Sequence, residues 1–216
     1  MSEPGVARPV RGPHADAFER CLAGGGIAVF PSDTVYGLAC DPGDRDAVER
    51  LYALKDRPLD KPSAVMFFDL RLALSTLPEL GQRTRPALAR LLPGPVSLLL
   101  PNPVARFPLA CGEDPGTLGL RVIDVPALAG VRRPVLQSSA NHAGGRDART
   151  LADVPEEIRR ACDLVVDGGA LPGTPSTVID LRGYERDGSW TIVRQGGLAR
   201  DAAARALDHE APAGAT

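Results

Sequence analysis

The residues best suited to handling an anionic ligand are cations and hydroxyls set at the ends of apolar runs. Arg121 lies within TLGLRVID among apolar neighbours, so its guanidinium is either paired inside the protein or lines a pocket for a carboxylate or phosphate. SSAN at 138–141 closes one apolar run with two hydroxyls and an amide, and STV at 176–178 follows the Gly/Pro-rich loop GGALPGTP. Each is either an ordinary turn or a set of N–H and hydroxyl donors facing phosphate oxygens. Arg194 ends another run in RQGG, where glycines would admit a ligand closely. The 25 basic residues include only two lysines, Lys55 and Lys61, both in KDRPLDKP. A site needing a compact ammonium keeps its lysine while surface positions turn to arginine, because a planar guanidinium cannot replace a point charge in a tight pocket.

Other chemistries lack their signatures. No G-x-x-x-x-G-K-[ST] loop occurs, and the Gly24–Gly26 run precedes its apolar stretch, where a dinucleotide loop would follow one. Ser138 and Ser139 have no G-x-S-x-G context and no histidine placed as their base. Cys21, Cys40, Cys111 and Cys162 stand far apart without a C-x-x-C pair, and His14, His142 and His209 are scattered, so reduced thiols and no protein-built metal site are expected. A net charge of −2 and a pI near 5.9 do not match a dedicated nucleic-acid binder. The N-terminus lacks a secretory core and no apolar run approaches the roughly 20 residues a bilayer needs, so a cytoplasmic chain without membrane contact is expected.

The chain has 216 residues, enough for one α/β domain. GGIAVFPSDT, SAVMFF, VSLLL, TLGLRVI, PVLQSS, LVV, STVIDL and WTIVRQG read as strands, about eight in all. Helical stretches fall between them: the one starting near Asp44, two pieces across 69–92, and one near 150–162. This alternation predicts a single twisted α/β sheet of mixed direction with a site at strand ends. The clearest helix runs from Asp44, a candidate cap, to Leu54, with Val48, Leu51 and Tyr52 on its apolar face and Pro58 beyond its end. Lys55 continues that face, so its ammonium either meets an anion in a cleft or snorkels past the core edge. Residues 1–13 and 201–216 are expected to be flexible ends around a domain at 14–200.

Taken in order, PSDTVYGLACD, KDRPLDKP, LLPGPVSLLL, TLGLRV, SSAN, PSTVIDL and IVRQG resemble the YrdC-like family of L-threonylcarbamoyladenylate synthases, over roughly residues 15–197. The resemblance implies an open twisted sheet with helices on its faces around a large electropositive cavity. It implies that L-threonine, bicarbonate or CO2, and ATP with Mg²⁺ yield threonylcarbamoyl-AMP and pyrophosphate, after which a partner transferase carries the group to a tRNA adenosine; direct tRNA contact by this chain is expected to be weak or indirect. By position, Thr34, Arg121, Ser139 and Ser176 would hold threonine. Arg57, Lys61, Thr117, Ser139, Asn141 and Arg194 would handle ATP, with Lys55 and Arg57 serving catalysis through the phosphates, while Tyr36 would be a pocket wall. The chain departs from the common pattern at Met66, where many members have histidine, at Lys61, often asparagine, and at Ser97, often threonine. The short form, without the extra domain of longer members, is expected. The rival expectations are a noncatalytic RNA- or nucleotide-binding module and a carbamoyl-adenylating enzyme that uses carbamoyl phosphate.

Overall fold

The computed structural model describes residues 11–208, and the expectations for 1–10 and 209–216 lie outside them. Nine strands form one sheet: β1 (Ala28–Pro31), β2 (Tyr36–Cys40), β3 (Ala64–Phe67), β4 (Val96–Pro101), β5 (Thr117–Val122), β6 (Val135–Ser139), β7 (Leu164–Val165), β8 (Thr177–Asp180) and β9 (Thr191–Arg194), in the order β7-β1-β2-β6-β3-β5-β4-β8-β9. Directions are mixed: β3/β5, β4/β8 and β1/β7 are parallel and the other pairs antiparallel. The helices are α1 (Ala15–Ala23), α2 (Arg45–Leu54), α3 (Leu70–Thr76), α4 (Thr84–Leu91), α5 (Glu156–Ala161), α6 (Tyr184–Asp187) and α7 (Arg200–Leu207). None of them is long and apolar enough to cross a membrane.

The two-residue period of the strands gives the sheet two unlike faces. Leu38, Val65, Leu98, Leu120, Leu136 and Ile179 bury one face against α2, α4 and α7, forming the main core. The other face is apolar only toward β1, where Ala28, Phe30, Ala39 and Met66 pack under Phe18 and Leu22 of α1. Toward β5 and β4 the same face carries Gln137, Ser139, Gly119, Arg121, Thr117 and Ser97 and is not covered by a helix. The registers Ala64↔Gln137, Ala64↔Gly119 and Leu99↔Gly119 align these positions across four strands.

Helix starts follow local chemistry. The Asp44 carboxylate accepts from Ala47 N at 3.1 Å to open α2, and Asp69 accepts from Arg71 N and Leu72 N to open α3. α1, β2, α6 and α7 are missing from the sequence expectation. β2 is buried at all five residues, so it shows no alternation. A Cβ on its Gly37 would lie 2.9 Å from the Phe30 ring and 3.1 Å from Gln137 Nε2, so the sheet requires glycine there.

The expected flexible ends are corrected within the described residues. Gly12 N donates to Ala129 O at 2.8 Å, and Arg11 pairs with Asp16 and Glu19. Residues 200–207 form α7, whose Ala203 and Leu207 recur at i, i+4 and are buried in the main core. Tyr184 Oη donates to Leu207 O at 2.6 Å and Arg90 Nε to Ala206 O at 2.6 Å. Alanine-rich composition hid a helix whose anchoring comes from other elements. We predict that Leu207→Ala lowers unfolding free energy by about 2–5 kcal/mol, the range for a buried leucine; urea denaturation showing a loss under about 0.5 kcal/mol would mean that α7 is not docked in solution.

Candidate active site

A cavity of about 350 Å³ opens over the uncovered face, lined by Thr34, Arg57, Ser97, Thr117, Arg121, Ser139, Ser176 and Arg194, among others. A second hollow of about 500 Å³, lined by Asp33, Pro95, Asp124, Gly196 and Gly197 among others, shares Thr34 with the first. Three guanidiniums therefore meet one cavity, alongside the carboxylates of Asp114 and Asp147.

Arg121 projects from the middle of β5 and its side chain is only 4% exposed. Its Nη2 donates to Asp33 Oδ1 at 2.6 Å and to Thr34 Oγ1 at 3.3 Å. Burial lowers the Arg121 pKa, Asp33 opposes the shift, and Arg194 lowers it further, which puts the two guanidiniums within electrostatic reach of each other. Burial likewise raises the Asp33 pKa against the pull of Arg121. Asp33 Oδ2 and Arg121 Nε have no hydrogen-bond partner among the described residues. The turn that presents Asp33 and Thr34 is stapled by Ser32, whose Oγ donates to Val35 O at 2.7 Å and accepts from Thr34 N at 3.2 Å.

The opposite wall is built on β8 and β9. Ser97 and Ser176 share a hydroxyl hydrogen bond of 2.8 Å, and Arg194 Nη2 donates to Ser176 O at 2.8 Å. Thr177 Oγ1 accepts from Gly196 N and Leu198 N at 3.0 Å each. The close approach expected of the RQGG glycines is made first by the protein itself: a Cβ on Gly196 would lie 2.2 Å from Pro175 O. At the remaining side, Arg57 crosses the Tyr52 ring with its guanidinium carbon 5.8 Å from the centroid and donates from Nη2 to Pro62 O at 2.8 Å. Thr117 Oγ1 donates to Asp114 Oδ2 at 2.6 Å.

Seven expected residues thus line one cavity: Thr34, Arg57, Thr117, Arg121, Ser139, Ser176 and Arg194. Asn141 and Lys55 stand just behind the lining, and Lys61 lies outside it with its side chain 58% exposed, 3.8 Å from Asp60. Tyr36 is not a pocket wall, because it is fully buried and its Oη donates to Asp167 Oδ1 and Gly169 O while accepting from Gly168 N. Met66 pairs in register with Arg121 but is fully buried in the apolar cluster under α1 and does not line the cavity. Sequence reasoning passed over Asp33, although it lies in the PSDT block; a lone carboxylate gives no signal until its arginine, 88 residues away, is beside it. Ser97, noted in the sequence only as a departure from the common pattern, also lines the cavity, as do Gln137, Asp114 and Asp147, which the sequence reading did not single out. Among the described residues no three His, Cys, Asp or Glu side chains gather as a metal would require.

Lys55 is 1% exposed, and its Nζ donates to Ser139 O, to Asn141 O and, at 3.0 Å, to Asn141 Oδ1. Burial, aided by the charge of Arg57 and resisted by Asp147, brings its pKa down to about 8. Because this folded value lies below the ordinary 10.5, the unfolded chain holds the proton more tightly, and the contribution of Lys55 to stability grows as pH rises from about 8 to 10.5. NMR titration of the Lys55 ε-carbon should give a midpoint near 8, and a midpoint at or above 10.5 would contradict this environment. Removing one member of the buried pair, Asp33→Ala, should cost about 3–5 kcal/mol of stability in denaturant titrations; a cost below about 1 kcal/mol would mean that Arg121 finds water or another anion.

A sequence profile for the family Sua5_yciO_yrdC, described as "Telomere recombination", matches residues 20–196. The threonylcarbamoyl-AMP synthase of Stutzerimonas stutzeri (strain A1501) is 34% identical over 171 residues, which are 77% of this chain and 91% of that protein. The protein of the same name from Cellvibrio japonicus (strain Ueda107) is 36% identical over 162 residues, 73% of this chain and 85% of its own length. Among solved structures, P. abyssi Sua5 complexed with L-threonine superposes with a TM-score of 0.76 at 26% identity, covering 88% of this chain; the chain spans 56% of that protein's length. E. coli YciO gives a TM-score of 0.74 at 25% identity, covering 89% of this chain and 92% of YciO. With its profile match spanning most of the residues that build the sheet and the cavity, the chain belongs to the Sua5/YciO/YrdC family.

Proposed function

We propose that this chain is a threonylcarbamoyl-AMP synthase that condenses L-threonine, bicarbonate or CO2, and ATP. The observation that carries this reading is the convergence of Arg57, Arg121 and Arg194 on one cavity, with hydroxyls from Thr34, Thr117, Ser139 and Ser176 between them. Relatives of that printed name, 34–36% identical over about three quarters of the chain, support it.

The reaction asks for positioning and charge neutralisation more than for covalent help from the protein. The amine of threonine attacks the carbon of CO2, forming an N–C bond and releasing a proton to solvent. An oxygen of the resulting carbamate attacks the α-phosphorus of ATP, and the bond to the β-phosphate bridging oxygen breaks with pyrophosphate leaving in line. Magnesium enters with ATP as part of the substrate, held by phosphate oxygens. Arg121 suits the threonine carboxylate, because its other charge partner, Asp33, already fixes the plane of the guanidinium. Thr34 and the Ser97–Ser176 pair offer hydroxyls to the rest of the amino acid. Arg57 and Arg194 flank the space left for the triphosphate, with Thr117 and Ser139 as hydroxyl donors, and the guanidiniums of the cavity favour the neutral form of the attacking amine. The product is an activated acyl-adenylate, to be consumed by a transferase that moves the threonylcarbamoyl group to a tRNA adenosine.

Purified chain incubated with ATP, Mg²⁺, bicarbonate and each amino acid in turn should form an acyl-adenylate with threonine, seen by mass spectrometry, together with pyrophosphate. Product that required carbamoyl phosphate, or no adenylate with threonine, would overturn the reading. Arg194→Ala should slow pyrophosphate release at least about tenfold, as expected when one charge-assisted contact of about 1.5–3 kcal/mol is lost. Arg121→Ala should weaken threonine binding more than ATP binding in calorimetric titrations, and the reverse ranking would remove Arg121 from the threonine end.

A further inference from the structure

Lys55 belongs to the one lysine-bearing segment of the chain, and its side chain does not open into the cavity. It caps the C-terminal end of α2, and its aliphatic stem runs through protein interior. Three oxygens receive its ammonium: Ser139 O, Asn141 O and Asn141 Oδ1. An ammonium has three N–H donors, so this set uses all of them and leaves none for a phosphate oxygen. Contact with a phosphate would first have to strip a buried carbonyl of its donor, which is the costly direction of exchange.

The other bonds of this region tie the same two segments. Ala143 N donates to Lys55 O at 2.8 Å, so the main chain of residue 55 and its side chain both grip the segment following β6. One residue on, Asp56 takes a left-handed φ of 49° and its Oδ2 lies 3.4 Å from His142 Nδ1, while His142 Nε2 meets Glu157 Oε1 at 2.7 Å. The anchored segments then present groups to the cavity. Ser139 Oγ donates to Asn141 Oδ1 at 2.6 Å, the same oxygen Lys55 holds, and Asn141 Nδ2 donates to Gly145 O at 2.7 Å. Arg57 leaves the turn two residues after Lys55, its N–H bonded to Tyr52 O at 3.0 Å.

We propose that Lys55 is a positioning residue: it fastens the 55–57 turn to residues 139–143 and acts on the substrates only through the Ser139 hydroxyl and the Arg57 guanidinium it holds in place. This rests on the synthase reading for its kinetic consequence, while the fastening itself is a property of the chain without ligands. It also accounts for lysine at this position in an arginine-dominated chain. Three oxygens converging on one nitrogen fit a tetrahedral ammonium, whereas a guanidinium spreads its donors over a planar fork. A plain phosphate contact would accept arginine readily, since guanidiniums bind phosphate well.

The test compares Lys55→Met and Lys55→Arg with the unaltered protein. In ligand-free Lys55→Met, hydrogen exchange of the amides in 139–145 should accelerate at least about tenfold while the core strands keep their protection. Binding of a non-hydrolysable ATP analogue should weaken only in step with the faster exchange of 139–145, and kcat for adenylate formation should fall at least about tenfold. Lys55→Arg should not rescue kcat, and Lys55→Met combined with Asn141→Ala should lose little more than either alone, because both break the same connection. Unchanged exchange in the ligand-free variant, together with analogue binding weakened tenfold or more and rescued by Lys55→Arg, would overturn the proposal in favour of a direct phosphate contact. Should Lys55→Met fail to fold, the unaltered protein decides: the Lys55 Nζ resonance should stay coupled to the 139 and 141 carbonyls when the analogue binds, and its transfer to phosphorus would refute the role. A protein that forms no adenylate would defeat the synthase reading, and the exchange measurement would still judge the fastening.

Discussion

A guanidinium in the middle of a sheet, almost without access to water, is tolerable only where fixed negative charge and polar oxygens surround it. Arg121 meets that demand through Asp33 and Thr34, which no strand supplies; the tight turn stapled by Ser32 brings them. The turn is in turn braced by β1 and β2 on either side of it and by the bond from Gly173 N to Thr34 O. One buried cation therefore ties together the path of a loop, the β1–β2 hairpin and the Gly/Pro-rich segment beyond β7. The same cation faces Arg194 across the cavity, and two like charges held within reach of each other store an affinity for an anion placed between them.

The sheet makes this possible by being unlike on its two sides. One face carries a continuous apolar core under α2, α4 and α7, enough to hold the strands without help from the other. Half of the other face is closed by α1, and the rest is free to carry hydroxyls, an amide and guanidiniums at alternate positions. The glycines matter at chosen points: Gly37 leaves room for the Phe30 ring, and Gly196 lets the segment after β9 run against Pro175 while Arg194 reaches Ser176.

Much of this could be read in the sequence. The Asp44 cap, the apolar face ending in Lys55 and the alternation around Arg121 each follow from short-range rules, and each has the expected place in the structure. What escaped depended on distance along the chain. β2 has no alternation because both its faces are covered, α7 is held by Tyr184 and Arg90, and Asp33 gains meaning only beside Arg121. Lys55 shows the boundary most clearly. Its burial was legible from helical periodicity, whereas the three oxygens that receive its ammonium come from a segment more than 80 residues away.

The central claim is that guanidiniums from separate strands and loops form a single receptacle for an amino acid and a triphosphate. A crystal structure of the chain with L-threonine and a non-hydrolysable ATP analogue tests it most directly. The account predicts the threonine carboxylate within hydrogen-bond distance of Arg121 and the phosphates lying between Arg57 and Arg194 in the same hollow. Well-ordered ligands bound on another surface, with the Arg121 side of the cavity left to water, would contradict it.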